Sequence, residues 1–202
     1  MEGKPSNVGV VALNGKNGSQ LWQIPSRSQV YTSAQFSDLD DDGLPDVIIG
    51  GRDAQLWAIK GNTGNILWEF WPDSLGNASK SGWFNFYNPQ IIQDINGDDV
   101  DDILISNGGN AAANSQNDKR YAGKLLVLSG SNGSIIWQDT MPDGRETYFA
   151  PLVFDDLVVF GSGGETKPGG LYSIKLGLML DSGLSAATVH FYDSTKGFIA
   201  AP

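Results

Sequence analysis

Apolar residues along this chain fall in short bursts of four to seven, and each burst is closed by Gly, Asn or Asp. Asp46-Val47-Ile48-Ile49-Gly50, Leu56-Trp57-Ala58-Ile59, Asp102-Ile103-Leu104-Ile105 and Lys124-Leu125-Leu126-Val127-Leu128 are the clearest. Runs of this length, bounded by turn residues, predict apolar strands joined by turns. No long stretch carries an apolar stripe at helical spacing, so the expected class is all-β.

The bursts repeat. Val11-Ala12-Leu13-Asn14-Gly15-Lys16-Asn17-Gly18-Ser19-Gln20-Leu21-Trp22 returns as Trp57-Ala58-Ile59-Lys60-Gly61-Asn62-Thr63-Gly64-Asn65-Ile66-Leu67-Trp68, and again from Leu126 to Trp137. A weaker fourth copy begins at Leu171-Tyr172-Ser173-Ile174 and loses the pattern after Leu176. Each copy reads as a hairpin with a Gly and Asn turn and a second strand ending in Trp. Ahead of each hairpin lies another repeated pair of strands: Ala34 to Gly50, Gln90 to Ser106, and Pro151 to Gly161 with almost nothing between its halves.

Two strands plus two strands make a unit of roughly 45 residues, the size of a propeller blade. The reading is a single β-propeller segment of about three and a half four-stranded blades. Residues 8–25 form a half blade, 30–72 a blade, 85–141 a blade with insertions and 148–193 a blade, while 197–202 begin the next. Closed propellers use four to eight blades. The expectation is therefore an incomplete ring, completed by further blades or another chain. A four-bladed ring closed by pairing the terminal strands is the rival.

Charge changes the picture at two places. The net charge of −10 resides in Asp38, Asp40, Asp41, Asp42 and Asp46 and in Asp94, Asp98, Asp99, Asp101 and Asp102; the other 13 acids match the 13 Lys and Arg. This leaves no basic footprint for nucleic acid and points to two local cation sites. Carboxylates at alternate positions of a tight loop turn toward a common centre, and a hard cation such as calcium wants six to eight oxygens at short range. The expected ligands are Asp38, Asp40, Asp42, the Leu44 carbonyl and Asp46 in the first loop. In the second they are Asp94, Asn96, Asp98, the Val100 carbonyl and Asp102. Strands flank both loops, which excludes an EF-hand. The third unit retains only Asp155 and Asp156.

The Asp-rich loops followed by Val47-Ile48-Ile49-Gly50 resemble the calcium-binding FG-GAP/VCBS-type repeats of integrin α-chains and secreted bacterial proteins. The segments ending in Trp22 and Trp68 resemble the tryptophan-docking motif of PQQ-like propellers. The resemblance implies structural calcium at two sites, a face that contacts proteins or glycans, and an extracellular or cell-envelope setting. Its signal peptide would lie outside this chain, because Met1 to Leu13 is neither a signal peptide nor a membrane span.

Candidate chemistry beyond calcium is thin. With no Cys there is no disulfide, no thiolate metal site and no vicinal cysteine pair of the kind quinone enzymes carry. The single His190 sits in a strand-like stretch without an evident Ser or Asp constellation, and is read as structural. Two insertions, Pro72 to Tyr87 and Gly108 to Lys124, bring Trp83, Phe86 and Tyr87 near Lys119, Arg120 and Tyr121. That is either a protein- or carbohydrate-binding patch or a local core beneath long loops; Glu165 and Lys167 would border it. The functional expectation is a non-catalytic adhesion or scaffolding module. The alternative is part of a secreted polysaccharide-active enzyme or quinoprotein whose catalytic residues lie elsewhere.

Overall fold

Strand pairing runs from each burst to the next, and among the described residues the result is four antiparallel sheets. The computed structural model describes residues 6–70, 82–110 and 120–198. The first sheet pairs β1 (Ser6–Leu13) with β2 (Gln20–Ser26). The second runs in order through β3 (Gln35–Ser37), β4 (Asp46–Gly50), β5 (Leu56–Ile59) and β6 (Ile66–Glu69). In the third, β9 (Asp102–Gly108) pairs with both β7 (Asn85–Phe86) and β8 (Gln90–Ile92), and β10 (Lys124–Leu128) and β11 (Ile135–Thr140) follow. The fourth holds β12 (Leu152–Phe154), β13 (Leu157–Gly161), β14 (Gly169–Lys175) and β15 (Thr188–Asp193). Sheets of consecutive antiparallel strands stacked face to face are the blades of a β-propeller.

The pleat explains the continuous apolar runs. Along β9, Ile103 and Ile105 turn to the second sheet while Leu104 turns to the fourth. Along β10, Leu126 and Leu128 alternate in the same way with Leu125 and Val127. All seven are 0% exposed. A central blade is thus packed on both faces, which is why its strands lack a polar face. Val47, Ile49, Trp57 and Ile59 likewise meet Trp22 and Ile24 of the first sheet, and Ile48, Leu56 and Ala58 face the third.

The fourth sheet departs from the pattern. After Lys175 the chain forms a short helix, α1 (Leu176–Ser182), where the other blades make a Gly-Asn turn, and it buries Leu176 and Met179 against the third blade. The sequence reading saw the hairpin signature fail after Leu176; the helix is the reason. Among the described residues the four sheets are not hydrogen-bonded to one another into a closed barrel or ring. No helix among the described residues is long and apolar enough to cross a membrane.

Candidate metal centres and the tryptophan staples

Both Asp-rich loops connect the first and second strands of a blade, so they lie at the same end as the turn between its third and fourth strands. Each loop ends in a carboxylate that is 0% exposed, Asp46 or Asp102. Asp46 accepts backbone N–H groups from Leu39 at 3.0 Å and Gly61 at 2.9 Å. Asp102 accepts from Ile95 at 2.7 Å and Gly130 at 3.2 Å. The last loop residue therefore ties the loop's start to the hairpin turn of its own blade.

That turn receives the neighbouring blade. Trp22 Nε1 donates to the Gly61 carbonyl at 2.8 Å, and Trp68 Nε1 to that of Gly130 at 2.7 Å. The indole of Trp68 lies so flat on the turn that a Cβ at Gly133, where φ is +73°, would come within 2.5 Å of its ring. Only glycine tolerates both the positive φ and the contact. Trp137 has no equivalent turn to dock on, because α1 stands there. It is half-buried against the same core, and Asp139 instead accepts the Leu184 N–H at 2.9 Å.

The residues expected to hold cations fall into two unlike constellations. In the first loop Asp38, Asp40 and Asp42 bring carboxylate oxygens within 4.8 Å of one another. Asp38 also accepts N–H groups from Asp42 and Gly43, and Leu44 N–H bonds to Asp42. The Lys60 ammonium bridges Asp40 and Asp42, lying 2.8 Å from the latter. Its hydrogen bond holds Asp42 below the usual carboxylate range, and the two acids push Lys60 above the usual range of an amine.

In the second loop Asp94, Asp98 and Asp102 converge within the same 4.8 Å. The position matching Lys60 is Ser129, which offers Asp98 a hydroxyl at 3.3 Å while Ser131 offers another at 2.7 Å. Ser131 leads the contacts that hold Asp98 low, whereas burial pushes Asp102 up. Asn96 bonds to Asp98 through its Nδ2 at 3.1 Å, and Val100 N–H to Asp98 at 3.1 Å. Three carboxylates with no ammonium among them form a donor set that suits a divalent cation with oxygen preference.

The expected ligand patch is mostly interior. Phe86 is 0% and Tyr87 9% exposed, and half-buried Trp83 packs on Phe70 at 5.2 Å between ring centres. These aromatics form core because the segment that carries them crosses the second and third sheets. Arg120 pairs with the buried Glu146 at 2.9 Å, and Tyr121 is 52% exposed. Lys119 and most of both insertions lie outside the described residues. The sequence reading missed the contact of His190 Nε2 with Ser173 Oγ at 2.7 Å. The contact arises at a β-bulge between β14 and β15, where His190 is the extra residue between the Leu171–Phe191 and Tyr172–Val189 pairs. No carboxylate among the described residues hydrogen-bonds the other ring nitrogen, and His190 is exposed on β15 while Ser173 is buried.

Comparison with known proteins agrees with this architecture. No curated protein matches the sequence significantly. Among solved structures, BamB from Moraxella catarrhalis superposes with a TM-score of 0.55 at 15% identity, over 93% of this chain and 44% of its own. Saccharomyces cerevisiae Sqt1 gives 0.52 at 15% identity over 91% and 44%, and a europium-containing methanol dehydrogenase 0.50 at 13% over 95% and 41%. The chain thus spans less than half the length of each, and at such identities the likeness is one of fold. The sequence profile of the FAM234A/B beta-propeller matches residues 4–153, most of the chain and all of the stapled region, so this chain belongs to the FAM234A/B beta-propeller family.

Proposed function

We propose that this chain is a calcium-stabilised propeller module that holds or binds a macromolecular partner without catalysing a reaction, at the cell envelope or outside the cell. The observation that carries the reading is the convergence of Asp94, Asp98 and Asp102 with no neutralising ammonium. Like charges at such range repel strongly in a partly desolvated loop, and a bound divalent ion would turn that repulsion into a tie between β8 and β9. Asp94, Asp98 and Asp102 would hold it, with the Asn96 side chain and the Val100 carbonyl available as further oxygens. In the first loop Asp38, Asp40 and Asp42, with the Leu44 carbonyl, would act similarly, Lys60 competing for the same carboxylates.

The extracellular setting follows from the same chemistry, since calcium there is abundant enough to fill sites of moderate affinity. A protein partner is favoured over a glycan. Sugar recognition wants exposed aromatic faces, and of the aromatic patch only Tyr121 is largely exposed. A role within a quinone- or polysaccharide-acting enzyme rests on likeness of fold alone.

Calorimetric titration of the metal-free chain with calcium tests the proposal. Saturable uptake with a rise in melting temperature that EDTA reverses is expected. No uptake and an EDTA-insensitive melt would overturn it.

A further inference from the structure

The rim of the propeller that carries the metal loops is interrupted between the third and fourth blades. Where the second blade meets the third, Leu39, the second residue of the first loop, is buried to 3% against Gly130 and the strands around it. Its counterpart Ile95 is only half-buried. The fourth blade has lost the nine-residue loop, keeping the tight turn Asp155-Asp156, and α1 replaces the Gly-Asn turn. A cavity of about 400 Å³ opens in the gap. Its walls are Ile91, Ile95, Val153, Leu176 and Leu180, and Asp155 and Asp156 stand among its lining residues. Both walls belong to this chain.

The lining defines an occupant. Apolar walls of this volume suit one or two bulky side chains, within the roughly 300–1,000 Å³ of ordinary ligand pockets. Asp156 is already paired with Lys175 at 3.0 Å, but the exposed carboxylate of Asp155 has no cationic partner among the described residues. We propose that this cavity receives a peptide segment of a partner protein that inserts an aliphatic or aromatic side chain and sets an adjacent Lys or Arg against Asp155. The inference deepens the reading of the chain as an interaction module, by naming where and what it binds, and it does not depend on calcium.

The test uses the capped pentapeptide acetyl-GLFKG-amide and its acidic counterpart acetyl-GLFEG-amide, titrated into methyl-labelled protein. Saturable shifts confined to the methyls of Ile91, Ile95, Val153, Leu176 and Leu180 are expected, with the basic peptide bound about fivefold more tightly at low salt, the range of an exposed ion pair. Asp155→Asn, tolerable at a φ of +53°, should abolish that preference but keep the shifts. Gly177→Leu adds a side chain where a Cβ meets nothing within 4 Å and should suppress both peptides while favouring the helix. Absence of saturable shifts, equal binding of the two peptides, or indifference to both variants would overturn the proposal. So would shifts of the same methyls with protein concentration alone, which would mark a second copy as the occupant. Calcium calorimetry on the same samples keeps failure of this inference separate from failure of the metal reading.

Discussion

The indole of Trp68 donates its N–H to the carbonyl of Gly130 at 2.7 Å, across 62 residues of sequence. The same glycine's N–H is held by Asp102, so a single residue joins the metal loop of its own blade to the outer strand of the previous one. Replacing Trp68 by Phe keeps most of the apolar area and deletes the donor, leaving a buried carbonyl without a partner. A loss of about 1–3 kcal/mol is expected in urea denaturation. Trp137→Phe, where no such bond exists, should cost markedly less.

Gly130→Ala should be far more damaging than its single added methyl suggests. A Cβ there would overlap the Asp101 carbonyl and crowd Leu39, so the loop, the turn or both must move. Destabilisation of about 2 kcal/mol or more is expected. By contrast Gly15→Ala, with open space around it, should leave the melting temperature nearly unchanged.

The two loops should differ in metal affinity. Lys60 already compensates Asp40 and Asp42, whereas Asp94, Asp98 and Asp102 have only hydroxyls and amides. Calcium calorimetry should therefore show the tighter site in the second loop and lose it in Asp98→Asn. Lys60→Ser, which copies the residue found at the matching position, should strengthen uptake at the first loop by about tenfold or more.

Acid should act on the metal-free chain in two directions. Asp42 and Asp98 are depressed in the folded state, so the stability they contribute is complete above the unfolded value of 3.8 and is lost as pH falls through their folded values. Asp102 is raised by burial; its contribution is present below 3.8 and is lost as pH rises from there through its folded value. In EDTA, Asp102→Asn should flatten the decline just above pH 3.8, read from urea midpoints at stepped pH.

The fold was legible because buried strands and turn residues repeat at near-constant spacing; Trp22, Trp68 and Trp137 mark equivalent places, and the intervals of 46 and 69 residues between them located the insertions. The acid loops were legible as chemistry, since five Asp in nine residues cannot be neutral to each other. What the sequence hid is what depends on contact between blades. Lys60 looks like any turn lysine until the sheet brings it over Asp40. Phe86 and Tyr87 read equally as a surface patch or a local core until the segment that carries them crosses the second and third sheets and is buried there. The omitted loop and turn beside Ile95 were readable at Asp155-Asp156 and after Leu176, but the cavity they leave is set by how two sheets meet.

The staple also decides where such a molecule can be cut. Asp102 and Gly130 belong to one sheet and Trp68 to the sheet before it, so the energetic module straddles two sheets and is offset from the visible blade. Anyone grafting or shuffling these repeats at sheet boundaries would separate donor from acceptor at every seam. A transplant running from the start of one fourth strand through the third strand of the next blade, and on past its Gly turn, would carry each joint intact.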